Sequence, residues 1–174
     1  MSFFVVDVES DGQIIGKHSM VCFGVVKLTD NLKTTPIFYG KTNPISDEYI
    51  PSALAVSGFS RKEHEQFPDP FFTMDDFAKW LKEHSVGRPI LISDNNGYDA
   101  SWINYYFHVY HHGNPFGWSS RRIGDLYCGM VKDVFAKWKH LRTTKHTHNP
   151  VDDAMGNAEA LLKMKEMGLK IKTK

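Results

Sequence analysis

Cysteine is scarce in this chain: among 174 residues only Cys22 and Cys128 carry a thiol. Cys22 falls inside an apolar strand pattern and Cys128 in a helical one, and neither has metal-ligand spacing. Both read as small core residues, and nothing asks for an oxidising compartment. Long apolar runs are missing too, none approaching the roughly 20 residues of a membrane span. The first residues lack a basic n-region and a cleavage pattern, so a soluble, cytoplasmic protein is expected. Charge of one sign is not in excess: the net charge is +1, which rules out global steering of a polyanion as an argument. Repeats, low-complexity stretches and boundary linkers are absent. With 41% hydrophobic and 13% aromatic residues, residues 1–174 fit one domain with a full core.

Apolar periodicity supplies the fold class. Strands are expected over 3–8, 20–28, 36–41, 89–93 and near 121–124, with helices near 51–56 and over 73–84, 98–112, 125–138 and 150–167. Three early strands joined by short polar turns predict an antiparallel meander. The later strand–helix alternation predicts parallel additions at its edge, hence an α/β mixed sheet flanked by helices.

The first strand, Phe3-Phe4-Val5-Val6-Asp7-Val8-Glu9, ends in two carboxylates. Side chains alternate across a strand, so Asp7 and Glu9 share one face at the end of a segment apolar on both sides. Two anions placed so call for a cation, and hard oxygen ligands suit Mg²⁺ or Mn²⁺. Taken alone, Asp-x-Glu also describes a strand whose last residues reach solvent.

Two further segments bring acids to element ends. Ile90-Leu91-Ile92-Ser93 is a buried strand, Asp94-Asn95-Asn96-Gly97 is turn chemistry, and Asp99 then sits in the first turn of a helix with apolar residues at 102, 103, 106, 107 and 110. Dipole compensation alone accounts for an acid there. In His148-Asn149-Pro150-Val151-Asp152-Asp153, Asn149 can cap and Pro150 can open a helix. Asp153 then lies on the first turn and His148 in the loop before it. A capped helix after a polar loop is the bland alternative.

Together, Asp7-Val8-Glu9-Ser10, Asn95-x-x-Tyr98-Asp99 and His148-x-x-x-x-Asp153 resemble, in order and spacing, the three motifs of the DEDDh 3′-to-5′ exonucleases. These belong to the ribonuclease-H-like superfamily, and the resemblance spans nearly the whole chain. Glu9-Ser10-Asp11-Gly12, Ser19-Met20-Val21-Cys22-Phe23-Gly24 and Ser93-Asp94-Asn95 look most like the small phage- and prophage-type exoribonucleases. Ser10 replaces the usual family threonine, keeping the hydroxyl and losing the methyl.

The resemblance implies two Mg²⁺ or Mn²⁺ ions about 3.5–4 Å apart that clamp the scissile phosphate. Asp7 would bridge both, Glu9 and Asp153 complete the first, and Asp99 support the second. His148, in a loop with Thr143, Thr144 and Thr147 that is expected to be mobile, would be the general base. The five-residue step from His148 favours Asp153 over Asp152. Ser10 would contact the terminal nucleotide and Glu9 its 3′ hydroxyl, with Gly58 and Phe59 as the wall beyond it. The implied partner is single-stranded RNA or DNA with a free 3′ end, RNA being favoured by the narrower resemblance, and a homodimer is the implied assembly.

From Ser120 to Thr147 there are seven Lys or Arg against two acids, a stretch that leads into His148. It reads as a phosphate-facing rim, with Arg142 and Lys145 as contacts, or as a solvated face. His108, His111 and His112 share a helix face but no ligand spacing completes them, so surface or subunit-contact histidines are expected. Among the aromatics from Trp102 to Trp118, those at helical spacing read as core, and Phe59 is the better base-stacking residue. Two other classes fit the same residues: a non-catalytic nucleic-acid-binding module, and a phosphoesterase for small phosphodiesters.

Overall fold

The computed structural model describes residues 1–173. Its strands are β1 (Ser2–Ser10), β2 (Met20–Lys27), β3 (Ile37–Lys41), β4 (Pro89–Ser93) and β5 (Arg121–Arg122). Its α-helices are α1 (Pro51–Val56), α2 (Arg61–His64), α3 (Pro70–His84), α4 (Asn96–Tyr110), α5 (Ile123–Val131) and α6 (Pro150–Glu166). The strands form one sheet in the order β3-β2-β1-β4-β5. Pairing of β1 with β2 and of β2 with β3 is antiparallel, while β4 joins β1, and β5 joins β4, in parallel. The expected α/β mixed sheet is therefore present, with β1 at its centre.

Alternation along β1 divides the core in two. Phe4, Val6 and Val8 face α3 and α4, where Phe77, Trp102, Ile103, Tyr106 and Phe107 are buried. Val5 faces the other way, with Val26 and Ile92, onto Ala154, Ala158 and Leu161 of α6. Trp102, Tyr106 and Phe107 are thus core, as their spacing predicts, whereas Trp118 is exposed.

The differences from the expected elements have local causes. Asp69 caps α3 through Phe71 N–H and Pro70 opens it, so the helix begins before residue 73. The four-residue α2 rests on a Ser60/Glu63 capping box. Instead of running to residue 138, α5 stops at Val131, because Lys132 turns left-handed (φ 60°) and donates to the Cys128 carbonyl. β5 is only two residues long. Cys22 is buried, but Cys128 is only half-buried, beside the turn that follows α5. Among the described residues no helix is long and apolar enough to cross a membrane.

Gly24 of β2 decides where α6 begins. A Cβ at Gly24 would lie 2.3 Å from the carbonyl group of Pro150 and 2.4 Å from Val151 N, so only a bare backbone lets the first turn of α6 lie on the sheet. Asp7 is Gly24's partner in register, which brings that turn down beside Asp7. Gly24→Ala is expected to cost about 1–3 kcal/mol through overpacking. It should also displace the turn that carries Asp153; an unchanged melting temperature in thermal unfolding would contradict this packing.

Candidate active site

The C-terminal end of β1, the first turn of α4 and the first turn of α6 meet at one pocket. Oxygens of Asp7, Glu9 and Asp153 lie within 4.8 Å of one another. Asp99 enters from α4 with Oδ1 accepting the Val8 N–H at 3.2 Å, which fixes it to the central strand. Its Oδ2 is buried and has no hydrogen-bond partner among the described residues.

Burial dominates the electrostatics. It pushes the Asp7 carboxyl well above its usual range, with Asp99, Asp153 and Glu9 adding repulsion and Arg142 opposing. Burial followed by Asp153 raises Glu9 to about 7. Burial also raises Asp99 to about 7, against the lowering contacts of Ser93 and the Val8 N–H. A cluster of hard oxygen donors, mutually repelling, with one buried oxygen free, fits divalent cations of the Mg²⁺ or Mn²⁺ type.

Asp153 is held differently. Arg142 Nη2 and His146 Nδ1 both lie 2.7 Å from its Oδ1, and the His148 backbone N–H donates to its Oδ2 at 3.0 Å. Arg142 reaches in across Gly156, where a Cβ would lie 2.5 Å from its Nε. Arg142, expected as a phosphate contact on the rim or as part of a solvated face, is instead turned inward onto an acid of the pocket. Lys145 is exposed and forms no ion pair among the described residues.

The loop before α6 is tied rather than loose. Glu159 accepts the backbone N–H groups of Thr143 and Thr144 at 2.8 and 2.7 Å, and Asn149 caps α6 through Val151 N–H at 3.0 Å. His148 takes a left-handed backbone (φ 61°), a costly state for a non-glycine residue. Its side chain is 51% exposed, with Nδ1 3.9 Å from Glu9 Oε1 and the His146 ring at 4.3 Å. His146 escaped the sequence reading; only its two-residue spacing from His148 pointed to it. Asp152 turns away from Asp153's role and accepts from the Thr147 hydroxyl at 3.1 Å. His108, His111 and His112 belong to neither group of described residues able to share a metal ion.

The remaining expected contacts flank the pocket. Ser10 Oγ is shared between the Tyr98 hydroxyl and the Gly12 carbonyl. Asn95 is exposed, and its carbonyl accepts the Asp99 N–H at 2.9 Å. Gly58 closes α1 with a left-handed turn (φ 78°) that any other residue would strain, and so aims the chain at Phe59. Phe59 meets Phe67 edge-on at 4.9 Å and carries the Lys41 ammonium 4.5 Å over its ring. Lys41 stands opposite Cys22, which stands opposite Glu9, so all three share one face of the sheet. Buried Asp11 anchors this wall by accepting from Arg61 of α2 at 3.1 Å and from Ser19 N–H at 2.5 Å.

The raised carboxyl pKa values set a stability test. Asp7, Glu9 and Asp99 bind protons more tightly folded than unfolded. In chelator their contribution should be fully present below the ordinary carboxyl range near pH 4 and lost as pH rises through about 7. The melting temperature should therefore fall between about pH 5 and 8, recover at pH 8 on adding Mg²⁺ or Mn²⁺, and lose much of this response in Asp7→Asn. A melting temperature that rises over that interval in chelator would reverse the sign.

No family model matches the sequence. Over 164 residues the chain is 34% identical to the 3′-5′ DNA exonuclease Cap18 of Escherichia coli, covering 91% of this chain and 83% of that protein. The expected exoribonuclease gains no support from this relative, whose name specifies DNA. Among solved structures the chain is similar to the nuclease domain of 3′hExo, a DEDDh family member bound to rAMP, with a TM-score of 0.80 at 17% identity, covering 99% of this chain and 96% of that one. It also resembles the zinc-bound E. coli exonuclease I–single-stranded DNA complex, with a TM-score of 0.69 at 16% identity over 96% of this chain and 41% of that one. At these identities the two structures carry the fold, that of a DEDDh family member, and the curated relative carries the kinship: the chain belongs to the 3′-to-5′ exonucleases.

Proposed function

We propose that this chain is a metal-dependent exonuclease that shortens single-stranded DNA from a free 3′ end and releases 5′-mononucleotides. Its main support is the meeting of Asp7, Glu9 and Asp153 at ligand spacing, with Asp99 close enough to repel Asp7, beside a half-exposed histidine. The DNA preference rests on the relative named as a DNA exonuclease. Two divalent ions bound by these carboxylates would polarise the scissile phosphate and lower the pKa of the attacking water.

The protein's own groups divide the remaining work. Arg142 and His146 orient Asp153, leaving Asp7, Glu9 and Asp99 to offer their oxygens inward. His148 takes the proton from water, because its ring nitrogens are free of hydrogen bonds among the described residues, whereas His146 Nδ1 is engaged by Asp153. Phe59 and Gly58 wall the pocket beyond the last nucleotide, so a chain end enters and a continuous strand does not.

Matched end-labelled DNA and RNA oligomers test this reading. Stepwise shortening from the 3′ end is expected with Mg²⁺ or Mn²⁺, faster on DNA, blocked by a 3′ phosphate and abolished by chelator. Cleavage of circular substrates, products accumulating from the 5′ end, or full activity in chelator would overturn it, and faster RNA turnover would reassign the substrate.

His148→Ala should lower kcat by about 10²–10⁴ with a smaller change in KM. His146→Ala is expected to lose less. A near-wild-type His148→Ala beside a crippled His146→Ala would transfer the base to His146.

A further inference from the structure

A second concavity of about 380 Å³ opens beside the active site, on the side of the sheet that carries α5. Asn95 lines it, and the same residue's carbonyl holds the Asp99 N–H. Opposite stand Phe135, Lys137 and Lys139, in the segment between α5 and Arg142. The concavity thus lies between the two stretches of chain that bring Asp99 and the partner of Asp153 into place. Its volume is at the small end of the range for bound organic ligands.

Phe135 is the distinctive feature. It is 87% exposed, yet it sits on a made turn: its N–H donates to Asp133 Oδ1 at 2.9 Å, and Ala136 N–H donates to the Asp133 carbonyl at 3.2 Å. Lys132 enters the turn left-handed and Trp138, 5% exposed, leaves it anchored in the core. A ring held outward by a turn fixed at both ends serves no packing role within the chain.

The surrounding charge is positive. Arg122, Lys137 and Lys139 line the concavity against Asp94, which pairs with Lys139 at 2.7 Å, while Arg122 pairs with Asp125 at 2.8 Å outside it. Lys137 forms no ion pair among the described residues, so a phosphate would meet it without displacing a carboxylate. A stackable aromatic two residues from a lysine with no ion pair among the described residues, flanked by the paired Arg122 and Lys139, matches single-stranded nucleic acid, where rings take bases and cations take phosphates.

From this juxtaposition we infer that the Phe135–Lys137 concavity is a nucleotide subsite for the strand upstream of the scissile bond. Phe135 stacks a base and Lys137, with Arg122, contacts the backbone. This rests on the exonuclease reading above and adds to it the path of the strand. It also recasts the basic stretch: Arg142 serves the pocket internally, and Lys137 and Arg122 face the substrate.

The test compares oligothymidylates of two and about eight nucleotides, the shorter being unable to span both sites. Phe135→Ala should raise KM for the longer one about tenfold, the scale of one lost base stack, and so reduce the gain in kcat/KM that added length confers. Phe135→Trp should keep that gain, and Lys137→Ala should flatten the salt dependence of KM. An unaltered length gain in Phe135→Ala, or an equal loss on both lengths, would overturn the subsite. So would a change in sedimenting mass with the length gain intact, which would assign Phe135 to a protein contact. If the wild type shortens neither oligomer, the exonuclease reading fails; fluorescence anisotropy of the longer oligomer on wild type and Phe135→Ala then decides the subsite by itself, with weaker binding to the variant expected and equal binding overturning it.

Discussion

Four carboxylates share a pocket from which burial has removed most of the water that would screen them, and the rest of the structure is arranged around their repulsion. Among the described residues Asp153 takes the Arg142 guanidinium and the His146 ring, each at 2.7 Å, whereas Glu9 has only the His148 ring at 3.9 Å. Asp7 and Glu9 lie against Asp153, and Asp99 keeps one buried oxygen without a partner. Burial disfavours the ionised form of all three remaining acids, and neighbouring carboxylates add to it at Asp7 and Glu9, which is why Asp7, Glu9 and Asp99 hold their protons so tightly. On the proposed reading, a divalent cation would reverse that preference, and the residues that disfavour one another in the metal-free fold would be its ligands.

Holding these groups at ligand spacing is a task for backbone rather than side chains. The central position of β1 keeps Asp7 and Glu9 fixed between an antiparallel and a parallel neighbour. Asp99 is tied to that strand by the Val8 N–H. The first turn of α6 reaches Asp7 because Gly24 has no side chain, and Arg142 reaches Asp153 because Gly156 has none. The left-handed backbone at His148 fits the same pattern: the Asp153 carboxylate accepts its N–H and so helps to hold a costly conformation that places the imidazole at the solvent edge.

The two walls of the site have different chemistry. Toward β3 and α2, the Asp11–Arg61 pair and the Phe59–Phe67–Lys41 cluster build a rigid barrier. Toward α5, the surface carries Lys137, Arg122 and an outward Phe135. On the proposed reading, a strand end entering between them would meet a wall ahead and a cationic, stackable surface behind, and that asymmetry would give the site a direction.

Much of this was legible in the sequence because it depends on neighbours along the chain. Alternation in β1 puts Asp7 and Glu9 on one face, Asn149-Pro150 opens α6, and the strand–turn–helix order places Asp99 at a helix start. The mixed sheet follows from the same local periods. Even the missed α2 was written in Ser60 and Glu63. What only the tertiary structure decided involves residues brought together by packing. Arg142 and Lys145 are alike in a basic stretch, and only the approach of that loop across Gly156 turns one inward and leaves the other in solvent. His146 gained its place from a 2.7 Å contact with Asp153, and the early end of α5 at Lys132 released the turn that exposes Phe135. Local sequence fixes which way a side chain leaves its own strand or helix. Which charge it then meets depends on how separate elements pack, and no pattern along the chain encodes that distance.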